Sequence, residues 1–300
     1  MRHLSISPDI ASALESGKPV VALETTLVTH GFPHPEGLEV AQDLEQAIRT
    51  EGATPATIGV IDYSLRVGIT ADELETLAQA RSVPKLNPSN LAAGITTVGM
   101  GSTTVAATMV AAHLTGIRIF STGGIGGVHR NVADTGDISA DLMALGCFPV
   151  AVVCAGAKAV LDLPKTVEAL ETRGVPIFGV GTDRFPAFYR RDSRVPIDQG
   201  FNDISQLAKA VRAHFELNMG SGVVVANPIP FEAEMPEDIY ETSLKRSLED
   251  LASSGMRGRE VTPYLLERLR LLTKGESVFS NRALLLHNAK IAARLAVALE

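Results

Sequence analysis

Cysteine is almost missing from this chain. Cys147 and Cys154 are the only two, which excludes a disulfide framework, and their spacing matches no metal knuckle. Both read as small apolar fillers of a reduced, cytoplasmic protein. Long apolar runs are missing as well. None approaches the roughly 20 residues that span a bilayer, and the first residues, which include Asp9 and Glu15, lack the apolar stretch of a signal peptide. No membrane partner is therefore expected. There is no basic stripe: the net charge is −7, with both signs spread along the chain. Nucleic acid is thereby excluded as a main partner. No histidine-rich ligand set points to zinc. Neither an internal repeat nor a linker interrupts residues 1–300, so a single domain is expected. What is present, 45% hydrophobic and 20% charged residues, is the balance of a globular enzyme.

Apolar runs alternate with amphipathic ones. Lys18–Glu24, Thr57–Ile61, Ile117–Thr122, Val150–Cys154, Val175–Val180 and Gly222–Pro228 read as buried strands. Pro35–Glu51, Val105–Leu114, Lys165–Arg173 and Asp203–Leu217 read as helices, and Ala159–Leu161 as the start of another. Thr70, with Glu73 three residues on, is a capping box. Three helical segments near 236–253, 263–273 and 280–299 close the chain. This alternation predicts a three-layer α/β/α fold: a mainly parallel central sheet with helices on both faces.

Such sheets bind ligands at the carboxyl ends of their strands, and the unusual polar residues fall there. Lys158 follows Val150–Cys154 directly. A lysine in that place holds a phosphate, forms a Schiff base when desolvated, or merely reaches solvent. Glu24 ends another buried strand, where desolvation suits a general acid and where an ion pair is equally at home. Lys85 ends a short extended segment. Gly99-x-Gly101-Ser102-Thr103-Thr104 reads as a turn opening a helix, able to cradle a phosphate or only to pack tightly. Gly123–Gly127 is denser in glycine than a turn requires, and His129 follows it. Asp137 and Asp141 are spaced one helical turn apart. They could share a divalent ion through oxygen and water ligands, or serve as cap and first-turn acid.

Long segments in this order resemble the pseudouridine-5′-phosphate glycosidase family. They are Glu24–Gly31, Thr103–Ala106, Thr122–Arg130, Asp137–Leu142, Val153–Lys158 and Val224–Pro230, and the resemblance spans nearly the whole chain. It implies reversible cleavage of the carbon–carbon glycosidic bond of pseudouridine 5′-phosphate to uracil and ribose 5-phosphate, a lyase-class reaction of nucleotide catabolism. It also implies an α/β/α fold, a homotrimer and one divalent ion per subunit, Mn²⁺ or alternatively Mg²⁺. Carried onto this sequence, Glu24 is the proton donor, Lys158 the nucleophile and Asp137 the metal ligand. Lys85, Val105, Ser139, Ala140 and Asp141 are substrate-binding positions, and the surroundings of Lys85 match least closely. Some relatives carry a fused kinase domain, which none of these segments represents.

The chemistry explains why a lysine is wanted. Ordinary glycosidases expel oxygen or nitrogen with a pair of carboxylates, whereas a carbon leaving group needs an electron sink. Glu24 would protonate the ring oxygen as the ribose opens, and Lys158 would capture C1′ as an iminium. Uracil C5, enamine-like, would accept a proton and depart. Asn281 is a candidate uracil contact. Two other functions stay open on residues alone: an aldolase-like Schiff-base enzyme on a sugar phosphate, and a non-catalytic nucleotide-binding module.

Overall fold

The computed structural model describes residues 3–80, 82–197, 199–254, 256 and 261–300. Its strands are β1 Leu4–Ile6, β2 Val20–Glu24, β3 Thr54–Ile61, β4 Ser64–Val67, β5 Lys85–Leu86, β6 Met100–Thr103, β7 Ile119–Ser121, β8 Ala151–Cys154, β9 Ile177–Val180, β10 Gln199–Phe201 and β11 Val223–Ala226. They form one sheet, ordered β1-β4-β3-β2-β7-β8-β11-β9-β10. The stretch from β3 through β2, β7, β8, β11 and β9 to β10 is parallel throughout. Strands β2, β8 and β11 are buried at every position, as both-face coverage requires of Val-rich strands.

The helices are α1 Pro8–Glu15, α2 Glu36–Thr50, α3 Ala71–Gln79, α4 Leu91–Thr97, α5 Val105–Thr115, α6 Val132–Thr135, α7 Ala140–Cys147, α8 Leu163–Glu171, α9 Ile204–Glu216, α10 Glu237–Ser254, α11 Val261–Leu272 and α12 Glu276–Leu299. One face of the sheet carries α12, laid across β2, β7 and β8, with α2 and α9 beside it; α5 and α7 pack together over the other. α2 buries Val40, Ala41, Leu44 and Ile48 on one stripe. Truncating Leu44 or Ile48 to Ala would cost about 2–5 kcal/mol, the usual cost of an unfilled core site. α5 is small and apolar on all sides because it is enclosed: Ala106, Ala107, Ala111 and Ala112 are all inaccessible. Gly116, left-handed at φ 81°, ends it. The capping box of Thr70 and Glu73 forms as the sequence predicts.

Several expectations need correction. The Gly99–Thr104 segment contains a strand, β6, antiparallel to β3. Residues 159–161 form a turn, and α8 starts only after its cap Asp162. Leu27–Gly31 forms a short π-helix. Cys147 is exposed; only Cys154 is a buried filler. β4 is antiparallel to β3, so one side of the sheet is mixed.

The antiparallel β6 does the positioning. β3 pairs with β2 through Thr54–Ile58, and then with β6 through Gly59–Ile61 on the same edge. β2 and β6 thus meet nearly head to head beside β3. Thr25 and Thr103 close the joint: both hydroxyls donate to the Ile58 carbonyl, at 2.9 and 2.7 Å. The Thr103 amide donates to Thr25 Oγ1 at 3.0 Å. This joint brings Glu24, the last residue of β2, to the start of α5.

Candidate active site

Glu24, Lys85, Val105, Asp137, Ser139, Ala140, Asp141 and Lys158 all line one cavity of about 200 Å³ at the carboxyl ends of the strands. Larger cavities exist at the amino ends of β2 and β7 and beside β9, but neither collects the strand-end acid and lysines. The residues carried over as acid, nucleophile, metal ligand and substrate contacts therefore meet here, whereas Asn281 lines an adjoining space. Thr26, Asn87, Thr104, Gly126, His129, Ile138, Leu161 and Thr262 complete the lining. Thr262 comes from α11, distant in sequence, and carries no local signal that could have announced it.

Lys158 is set by the turn after β8. Its amide donates to the Ile125 carbonyl at 3.0 Å, and the Ile125 amide to the Gly156 carbonyl at 3.1 Å. The two strand-end loops are thereby laced together. Gly156 must be glycine: its φ is +80°, and a Cβ would lie 2.1 Å from the Pro186 carbonyl oxygen.

Glu24 is buried, and its Oε1 accepts a 2.6 Å hydrogen bond from Thr122 Oγ1. Burial raises its proton affinity above the usual carboxylate range, against the opposing pull of Lys158 and the Thr122 hydroxyl. A buried acid with raised proton affinity suits general-acid catalysis. Thr122 is held in turn from α12: Asn288 Nδ2 donates to the Thr122 carbonyl at 2.8 Å, and Asn227 Nδ2 donates to Asn288 Oδ1 at 2.9 Å. Burial and neighbouring Lys158 both depress the Lys85 ammonium. Burial also lowers His129, with Lys158 adding to it and Asp137, at 3.8 Å, resisting.

Two helix N-termini converge on the cavity. In α5, Thr104 Oγ1 caps the Ala107 amide at 3.3 Å, and the Ala106 amide donates to Asp141 Oδ1 at 3.0 Å. In α7, Ser139 Oγ caps the Asp141 amide at 3.2 Å. The first amides of the two helices, those of Val105 and Ala140, have no partner among the described residues. Both line the cavity, and two helix ends with free amides form an anion cradle.

The two aspartates part company. Asp141 is buried, and its Oδ2 accepts from the Gly126 amide at 2.7 Å while Oδ1 serves Ala106. Its carboxylate ties the glycine loop to α5. A Cβ on Gly126 would fall 2.2 Å from Ser139 Oγ and 2.8 Å from Asp141 Oδ2, so that close approach needs glycine. Asp137 lies before the α7 cap, in an extended segment where Ile138 bridges to Val128. The pair is not one helical turn apart: Asp141 uses both oxygens on backbone amides, whereas Asp137 Oδ2 lies 3.8 Å from His129 Nε2. Among the described residues no group of three or more His, Cys, Asp or Glu could cage a metal.

Beyond Glu24 and Lys158 the cavity opens into a smaller lobe of about 60 Å³. The two spaces share Glu24, Thr26, Lys85, Lys158 and Thr262. Leu27, Phe32, Phe188, Pro263, Leu266 and Leu285 make this lobe apolar, and Asn281 and His30 add polar groups.

A family model described as indigoidine synthase A like protein matches residues 9–298. Among solved structures, the prealnumycin C-glycosynthase AlnA in complex with ribulose 5-phosphate superposes with a TM-score of 0.92 at 38% identity. The match covers 100% of this chain and 97% of that one. An indigoidine synthase A-like protein from Thermotoga maritima gives 0.88 at 32% identity, covering 98% and 96%. The fold is thus of the indigoidine synthase A-like class. Proteins named pseudouridine-5′-phosphate glycosidase are closer in sequence. That of Solibacter usitatus is 49% identical over 99% of this chain and 100% of its own length. That of Paracoccus denitrificans is 48% identical over 99% and 98%. The chain belongs to the pseudouridine-5′-phosphate glycosidase family.

Proposed function

We propose that this protein cleaves pseudouridine 5′-phosphate reversibly to uracil and ribose 5-phosphate. The observation that carries the reading is the meeting of a buried Glu24, its proton affinity raised by burial, with Lys158 in one cavity flanked by two helix N-termini. The free amides of Val105 and Ala140, with Lys85 and Ser139, suit the phosphate. The polar cavity then holds the ribose phosphate, and the apolar lobe holds uracil beside Asn281.

In this arrangement C1′ lies between the acid and the amine. Glu24 gives its proton to the ring oxygen as Lys158 attacks C1′ and the ribose opens. The nitrogen lone pair then expels uracil, whose C5 takes up a proton, and leaves an iminium on Lys158. Water hydrolyses it, freeing ribose 5-phosphate and the lysine. The overall reaction consumes one water.

Asp137 would hold the divalent ion, Mn²⁺ or Mg²⁺. One carboxylate, with the His129 ring 3.8 Å away, beside an anion cradle is a donor set that fits a hydrated ion keeping several waters. Bound there, the ion supplies positive charge near the phosphate and sugar oxygens. A homotrimer in the cytoplasm completes the reading, supported by the family resemblance. Light scattering should give about three times the 31.7 kDa subunit mass. No helix among the described residues is long and apolar enough to cross a membrane.

The decisive assay follows uracil release from pseudouridine 5′-phosphate by ultraviolet absorbance, with and without Mn²⁺. Steady release, faster with the ion, is expected. Borohydride added with ribose 5-phosphate should fix the sugar on Lys158. Absence of uracil release by folded, metal-supplied protein would reject the function, and would leave an aldolase-like or purely binding role.

A further inference from the structure

The apolar lobe is not closed at its far end. Six of its lining residues, His30, Gly31, Phe32, Pro263, Leu266 and Asn281, also line an outer cavity of about 330 Å³. The inner lobe measures about 60 Å³, so the outer space is several times larger. It lies between the π-helical segment at Leu27–Gly31 and the helices α11 and α12. Its outer wall includes Val278 and the Arg270–Glu267 ion pair, 2.7 Å apart. A pocket built for one small ring alone needs no such continuation.

We propose that the site accepts nucleobases longer than uracil, namely N1-alkylated uracils whose substituent occupies this outer cavity. The proposal rests on the reading that uracil occupies the inner lobe. C5 must face C1′ and Lys158 there, so the N1–C2–N3 edge of the ring points away from them, toward the outer space. Alkylation at N1 leaves its lone pair conjugated through C6 to C5, and the enamine character of C5 survives.

Run in the synthetic direction, the step balances without another reactant. Ribose 5-phosphate and the Lys158 amine lose water to give the iminium. C5 of the alkyluracil adds to C1′, and the C5 proton departs. The sugar O4′ hydroxyl then displaces the lysine amine, handing its proton to Glu24. One carbon–carbon bond has formed, and one water has been released.

The test incubates the metal-supplied enzyme with ribose 5-phosphate and, separately, uracil, 1-methyluracil and 1-propyluracil, and reads the C-nucleotide by mass spectrometry. The 1-propyl product should form with kcat/KM within about tenfold of uracil, whereas a closed pocket discriminates by roughly tenfold or more for a single methylene. Val278→Trp, at a residue that lines only the outer cavity, should cut 1-propyluracil coupling by about tenfold or more and leave uracil unchanged. Arg270→Trp on the more exposed rim offers the same test should the first variant fold poorly. Coupling of uracil without any of the alkyl homologues overturns the proposal and spares the underlying function. Failure to couple uracil itself removes both. Equal coupling of 1-propyluracil in the wild type and a folded Trp variant also overturns it, because the substituent then lies elsewhere.

Discussion

The two ends of the central strands handle charge in opposite ways. At the amino ends, charges are paired in the open: Arg294 grips Glu51 with two bonds of 2.8 and 2.9 Å, and Arg118 lies over the Phe215 ring at 5.3 Å. At the carboxyl ends, Glu24, Lys85 and Lys158 share a cavity without a direct ion pair among them. Pairing at the surface is worth little to stability and fixes nothing chemically. Keeping enclosed groups out of ion pairs is unfavourable, but raises the proton affinity of Glu24 and leaves Lys158 without a carboxylate clamped to it. The same sheet therefore separates a rim that only holds together from a rim that does chemistry.

The most severe way to break this contrast is Lys158→Ala. Loss of the nucleophile should lower uracil release by about 10³-fold or more and abolish borohydride labelling, with melting temperature near wild type. Labelling that persists would place the amine elsewhere. Glu24→Gln removes the proton but keeps the shape, and should cost about 10²–10⁴-fold. In the wild type the acid works only while protonated. Because burial raises Glu24, activity should persist above the ordinary carboxylate range and fall as pH rises through the shifted value. A pH–rate profile of Glu24→Gln should have lost that falling limb.

Thr122→Val sharpens the comparison further. The lost hydroxyl was donating to Glu24 Oε1 and lowering its proton affinity, so the falling limb should move to higher pH. Thr122→Ser should restore its position. A rate loss with an unmoved limb would mean that Thr122 serves packing alone. Asp137→Asn should weaken Mn²⁺ activation, read as a higher metal concentration for half-maximal rate. Least of all, Glu51→Gln at the opposite rim should cost under about 1 kcal/mol in denaturant unfolding and leave turnover untouched.

Much of this division was legible in the sequence because two periodicities and one topological rule produce it. Val-rich runs fix β2, β8 and β11, and the apolar stripe of α2 fixes its face. The rule that parallel sheets bind at carboxyl ends then collects Glu24 and Lys158, whereas Lys85, read as the end of an extended segment, opens β5 instead. The chain hid features that depend on tertiary pairing. Met100–Thr103 carries glycine and threonine and looks like a turn; it becomes a strand because β3 runs past the end of β2 and offers an unpaired edge. Asp137 and Asp141 look like a helical pair until Ser139 takes the cap between them. The free amides of Val105 and Ala140 have no side-chain signature at all, and Thr262 reaches the cavity only because α11 folds back over it.

Asn288 carries a consequence for how the enzyme comes into being. Its side-chain amide holds the carbonyl of Thr122, whose hydroxyl holds Glu24, yet α12 is the final helix in chain order. During synthesis the acid, the lysine and both helix N-termini emerge first, without the brace that sets the proton. A nascent chain thus carries every reacting group but not their alignment. Competence should arrive late, when α12 docks, so that truncated or half-made chains bearing Lys158 do not act as enzymes.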